Sequence, residues 1–161
     1  MRLRFLCEEH RQRLKASPEC ARDLWFETAD RMLGVDRVCS ADRRPTPHDV
    51  SLAGSALEAS HIFLADIVQC PRDLIERYVL TASHLIELMH RLGQSHLGIV
   101  VVAVATAMLE QLGRRGANRQ ACERACGQIT LAGQRLLGTE NNYRVLCTAL
   151  VHPHESRTTV H

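Results

Sequence analysis

Two Glu-x-x-His pairs, Glu58/His61 and Glu87/His90, are the sharpest chemical motif in this 161-residue sequence. Residues three apart on a helix share a face, and di-iron helical bundles use such pairs, with one further carboxylate from each of two other helices, to hold two metal ions. Glu27 and Glu110 are the candidate extra carboxylates. Those bundles alternate a lone Glu with each Glu-x-x-His, whereas here the two pairs fall on consecutive helices. Glu58 also sits with Ser51, Ser55 and Asp66 on what the periodicity makes the polar side of its helix. A di-metal bundle ligated by Glu58, His61, Glu87 and His90 is therefore an alternative reading. The leading one assigns no metal, no cofactor and no catalytic residue.

The remaining reactive side chains are weaker candidates. Cys122 and Cys126 stand one helical turn apart on an otherwise apolar stripe, where free cysteine behaves as a small hydrophobe. Serine precedes histidine at Ser60-His61, Ser83-His84 and Ser95-His96, but a catalytic pair needs a third orienting group and a pocket. His152, His154 and His161 form a loose cluster without an accompanying cysteine or acid pair. Phosphate-cradling glycine loops and the G-x-S-x-G elbow are absent.

The elements that would position these residues are all helical. Aromatic residues make up only 4% of the chain while Ala and Leu abound, which suits closely packed helices better than sheets. A first helix is expected over about Leu3 to Lys15. Ser17-Pro18 then supplies a cap and a first-turn proline for a second helix to about Leu33-Gly34, with Trp25, Ala29 and Met32 on one face. Thr46-Pro47 restarts the chain in the same way for a third helix over about 47–69, its inner face carrying Leu52, Ala53, Ala56, Leu57, Ser60, Phe63, Leu64 and Ile67.

Pro71 to Leu92 reads as a fourth helix with Leu74, Ile75, Tyr78, Val79, Ala82, Leu85, Ile86 and Met89 inward, closed by Gly93. Residues 96–112, capped by Ser95, contain Ile99 to Val102 but run on too long for a strand, so a helix apolar on nearly every side is expected. Gly113 and Gly116 punctuate the chain before a sixth helix, which starts at Asn118 and is closed by Gly138. A short seventh is expected over Asn142 to Leu150. The domain reading is one all-α unit over 1–151 with a C-terminal tail over 152–161. Its expected core is Trp25, Leu57, Leu64, Ile86, Met89, Val102, Ala105 and Ile129.

Charge and cysteine usage exclude further classes. Twenty Lys plus Arg against eighteen Asp plus Glu leave a net charge of +2, and the basic residues are scattered, so no nucleic-acid face is expected. Seven cysteines without a C-x-x-C pair read as reduced thiols in a cytoplasmic protein. The N-terminal residues turn acidic at Glu8-Glu9 before any signal-peptide apolar region develops. The longest apolar run, Leu97 to Leu109, is shorter than the roughly 20 residues that cross a bilayer, so no membrane span is expected.

Ala82, Leu85-Ile86, Met89, Gly93, Gly98, Val102 and Ala105 stand in the order and spacing of a tetratricopeptide repeat, and the fourth and fifth helices together resemble one. The segment departs from that family at Ala82 and Met89, where aromatics are usual, at Gly98, where alanine is usual, and at Glu110, where proline closes the repeat. Weaker echoes occur through Trp25, Ala29 and Met32 and again over Arg124 to Arg157. The resemblance implies a right-handed array of six to seven helices in about three hairpins. It also implies a non-catalytic interaction module, acting as adaptor, scaffold or chaperone, whose concave face holds a protein or peptide segment. Carried over position by position, the groove residues are Asp23, Phe26 and Asp30 on the second helix and Leu80, Ser83, Glu87 and His90 on the fourth. A homo-oligomer is compatible with this reading. A third reading is the ligand-binding or dimerisation domain of a regulator, although no basic recognition helix is present at either end.

Overall fold

The computed structural model describes residues 4–38 and 44–137. These residues form six helices: α1 (Glu8–Ala16), α2 (Pro18–Val38), α3 (Pro47–Asp66), α4 (Arg72–Arg91), α5 (Ser95–Arg114) and α6 (Arg119–Leu137). Among the described residues there is no strand, and Ile99 to Val104 lie within α5.

Local chemistry sets most of the boundaries. Thr46 caps α3 reciprocally: its hydroxyl accepts from the Asp49 amide at 3.3 Å, and the Asp49 carboxylate accepts from the Thr46 amide at 2.6 Å. Asn118 caps α6, its Oδ1 accepting from the Ala121 amide at 3.0 Å. Gly93, with φ of 71°, ends α4. The Gln94 amide reaches back to the Met89 carbonyl and the Gly93 amide to that of His90, both at 2.8 Å. Gly116, with φ of 101°, ends α5 in the same fashion, the Ala117 amide donating to the Leu112 carbonyl at 3.1 Å.

Several boundaries differ from the sequence reading. Residues 4–7 precede α1 as non-helical chain, so the first helix begins at Glu8 rather than Leu3. The second helix continues through Gly34 to Val38, and the third stops at Asp66. Ser95 is the first residue of α5 rather than its cap, and Gly113 lies inside that helix. The expected seventh helix, the tail over 152–161 and Gly138 lie outside the described residues.

The packing follows the chain. α2 rests mainly on α3, α3 on α4, and α5 lies against both α4 and α6, while α6 also touches α4 and α1 touches α2 and α3. All eight expected core residues are buried, as is the complete inward set of α4. Burial of each large aliphatic side chain contributes roughly 1.5–3 kcal/mol. Trp25 is fully enclosed, and its indole N–H donates to Thr81 Oγ1 at 3.0 Å, fixing α2 against α4. At the other end of the bundle the Arg115 guanidinium donates to the Ala65 carbonyl in the last turn of α3.

α5 buries Ile99, Val100, Val101, Val102, Ala105, Leu109 and Leu112, which accounts for its nearly continuous apolar sequence. At 20 residues it exceeds the run counted in the sequence, and by length and composition it is long enough to cross a bilayer. Its most apolar window is 44% buried inside the bundle, against α4 and α6.

Candidate functional site

Glu58 is not on a solvated polar face, as its sequence neighbours suggested. Its side chain is only 11% exposed and receives three donors from the N-terminal part of the chain. Oε2 accepts the backbone amides of Phe5 at 2.7 Å and Leu6 at 2.9 Å, and Oε1 accepts Arg11 Nε at 2.6 Å. Arg11 also donates to the Leu6 carbonyl at 2.8 Å and to Glu8, so one guanidinium and one carboxylate tie residues 4–7 and α1 to α3. Burial opposes ionisation of Glu58, but the Leu6 amide, the Arg11 guanidinium and the Phe5 amide together hold it below the usual carboxylate range. The Phe5 ring lies directly on the backbone of Gly54, one turn before Glu58, where any Cβ would overlap it.

His61 is similarly committed. Its Nε2 is 2.7 Å from the Tyr78 hydroxyl, the rings are tilted with centroids 5.6 Å apart, and Tyr78 is fully buried. With Nε2 protonated, His61 donates to Tyr78 Oη, and Tyr78 donates onward to the Ala105 carbonyl at 3.5 Å. That chain links α3, α4 and α5. Burial pushes His61 down to about 4, against a partly opposing pull from Glu58, so the ring is neutral at physiological pH. Burial likewise drives the Tyr78 phenol well above its ordinary value.

The two Glu-x-x-His pairs therefore do not converge. Glu87 and His90 are exposed near the C-terminal end of α4, with His90 Nδ1 at 3.4 Å from Ser95 Oγ. The two extra carboxylates are exposed too, Glu27 paired with Arg31 and Glu110 with Arg114. No group of three or more His, Cys, Asp or Glu side chains among the described residues is placed to hold a metal ion. His152, His154 and His161 lie outside the described residues.

Two of the seven groove positions, Phe26 and Asp30, share a partner on α4. Arg77 of α4 reaches across to α2, where its guanidinium lies 4.4 Å from the Phe26 ring centroid and pairs with Asp30. Phe26 is half-buried and meets Trp25 edge-on at 5.2 Å, and Leu80, one turn beyond Arg77, is 53% exposed. Asp23, Asp30, Glu87 and His90 are exposed, and Ser83 is half-buried. Asp23 bonds to its neighbour Arg22 at 2.9 Å. Arg77 thus joins Phe26 and Asp30, with Leu80 one turn along α4, and the sequence reading missed Arg77 because only the approach of α4 to α2 brings it to them.

The thiols divide by location. Cys122 is buried and Cys126 half-buried, with Cys126 Sγ 3.9 Å from the Thr106 carbonyl, and burial raises both above the usual thiol value. Burial pushes Cys70 up to about 11. Cys7 and Cys20 are exposed, Cys7 with its sulfur 2.8 Å from His10 Nδ1. Cys7 stands immediately before α1 because that helix starts at Glu8 rather than Leu3. Cys39 and Cys147 lie outside the described residues. No family model, curated protein or solved structure compared with the chain matches it.

Proposed function

We propose that this chain is a non-catalytic protein-interaction module of tetratricopeptide-like type, an adaptor, scaffold or chaperone acting in the cytoplasm on a protein or peptide segment. The observation that carries the reading is the reach of Arg77 from α4 to Phe26 and Asp30 on α2, which joins alternate helices into one outward surface beside the exposed Leu80. α4 also packs against α6, and its side chains reach α2 at Trp25, Phe26 and Asp30. Contacts of this kind between alternate helices support a hairpin array in which first helices line one face. The surface offers two apolar anchors, Phe26 and Leu80, among Asp23, Asp30 and Glu87, and suits a partner helix with apolar residues flanked by basic ones. No metal, cofactor or catalytic residue enters the proposal.

The test compares captured partners and melting for wild type, a Phe26→Ala/Leu80→Ala variant and a Glu87→Ala/His90→Ala variant. Glu87 and His90 are exposed, so their replacement is expected to change stability by no more than about 0.5 kcal/mol while reducing capture. A partner set identical across all three folded proteins would overturn the reading. Metal retained by wild type and lost from the Glu87/His90 variant would favour the di-metal alternative instead.

A further inference from the structure

α1 is the most lightly held helix of the bundle. Only Arg11 and Leu14 of its nine residues are buried, against ten in α4. A nine-residue helix is too short to persist alone in water, so α1 depends on its docking. That docking converges on one side chain: Glu58 receives two backbone amides and the Arg11 guanidinium, while Arg11 closes back on the Leu6 carbonyl. The apolar anchors are Leu14, buried in the core, and the Phe5 ring, which rests on Gly54 without a side chain beneath it. Between α1 and α2 stands a single residue, Ser17, in extended conformation with φ of −141° and ψ of 91°.

We propose that residues 4–16 form a latch, hinged at Ser17 and closed by Glu58, that opens from α3 as a unit while α2 to α6 stay folded. Opening would uncover the Gly54–Glu58 strip of α3, a surface that reads two successive backbone amides and an aromatic ring. The unit is separable because its polar attachment converges on one carboxylate and its apolar attachment is confined to Phe5, Leu6 and Leu14, whereas α4 and α5 are held by many distributed apolar contacts. Such low-stability units open locally with free energies well below that of global unfolding.

Site-resolved amide hydrogen exchange on the full chain tests this at neutral pH. In wild type the amides of residues 5–16 should exchange with little dependence on denaturant, whereas buried amides of α4 and α5 should show the steep dependence of global unfolding. Two variants strike the latch independently: Glu58→Gln weakens the charge-assisted bonds, and Gly54→Ala unseats the Phe5 ring. Each should accelerate exchange over residues 5–16 by roughly tenfold or more, the scale of one lost charged hydrogen bond, and leave α4 and α5 with their wild-type denaturant slope. Exchange of residues 5–16 only with the global slope in wild type would overturn the proposal. So would variants in which the latch amides are unchanged, or in which α4 and α5 lose protection to the same degree.

Discussion

Replacing His61 by Gln removes a ring whose proton affinity differs sharply between folded and unfolded chain. Unfolded, the imidazole titrates at its ordinary value of 6.5; folded, burial beside Tyr78 lowers that to about 4. Between those values the unfolded chain binds a proton that the folded chain refuses, so wild-type stability falls as pH falls, beginning near 6.5 and levelling below about 4. At 1.36 kcal/mol for each pH unit separating the two values, wild type should lose about 3 kcal/mol relative to the variant between pH 7 and pH 4. Glu58 acts lower: its folded value is depressed from 4.5, so its contribution is present above that value and is lost only as pH falls through the folded one. Urea denaturation of both proteins at half-unit steps from pH 7 to pH 5 therefore isolates the histidine. Parallel stability curves over that interval would refute the assignment of His61 as a buried neutral ring.

Two further expectations concern packing. Leu57 and Ile86 are each 1% exposed, and truncation of either to Ala should destabilise by roughly 2–5 kcal/mol through lost transfer energy and a residual cavity, read from denaturant midpoints. Thr81→Val leaves the buried Trp25 indole N–H without its acceptor and should cost about 1–3 kcal/mol by the same measurement, whereas Thr81→Ser, which keeps the hydroxyl, should cost distinctly less.

The helices were legible in the sequence because their signals are local. Pro18, Thr46-Pro47, Gly93 and Asn118 act within one turn, and the inward faces of α3 and α4 repeat every three or four residues over 20-residue helices. Glu58 was misplaced for a related reason. A wheel plot separates the side of α3 that meets the main core from the rest, but cannot show that residues 4–7 will return to cover part of the remainder. Covering by a non-helical segment has no periodicity. The partnership of His61 with Tyr78 and of Arg77 with Phe26 and Asp30 was hidden in the same way, since each joins different helices. Of the groove positions, Asp23, Asp30, Leu80, Glu87 and His90 are exposed. Phe26 is half-buried against Trp25 and beneath Arg77, and Ser83 is half-buried as well.

The reach of Glu58 to Phe5 and Leu6, 53 and 52 residues away, also sets an order in time. Most helices pack on their sequence neighbours, contacts that close quickly at small entropic cost, whereas this one joins distant stretches of chain. On a ribosome adding about 5–20 residues each second, Phe5 and Leu6 wait roughly 3–10 s before their acceptor carboxylate is synthesised. Throughout that interval Phe5 and Leu6 have no native surface to occupy, and α1 is too short to be stable. Residues 4–16 are thus made well before the surface they dock on, and through that interval they stand open to chaperones and proteases.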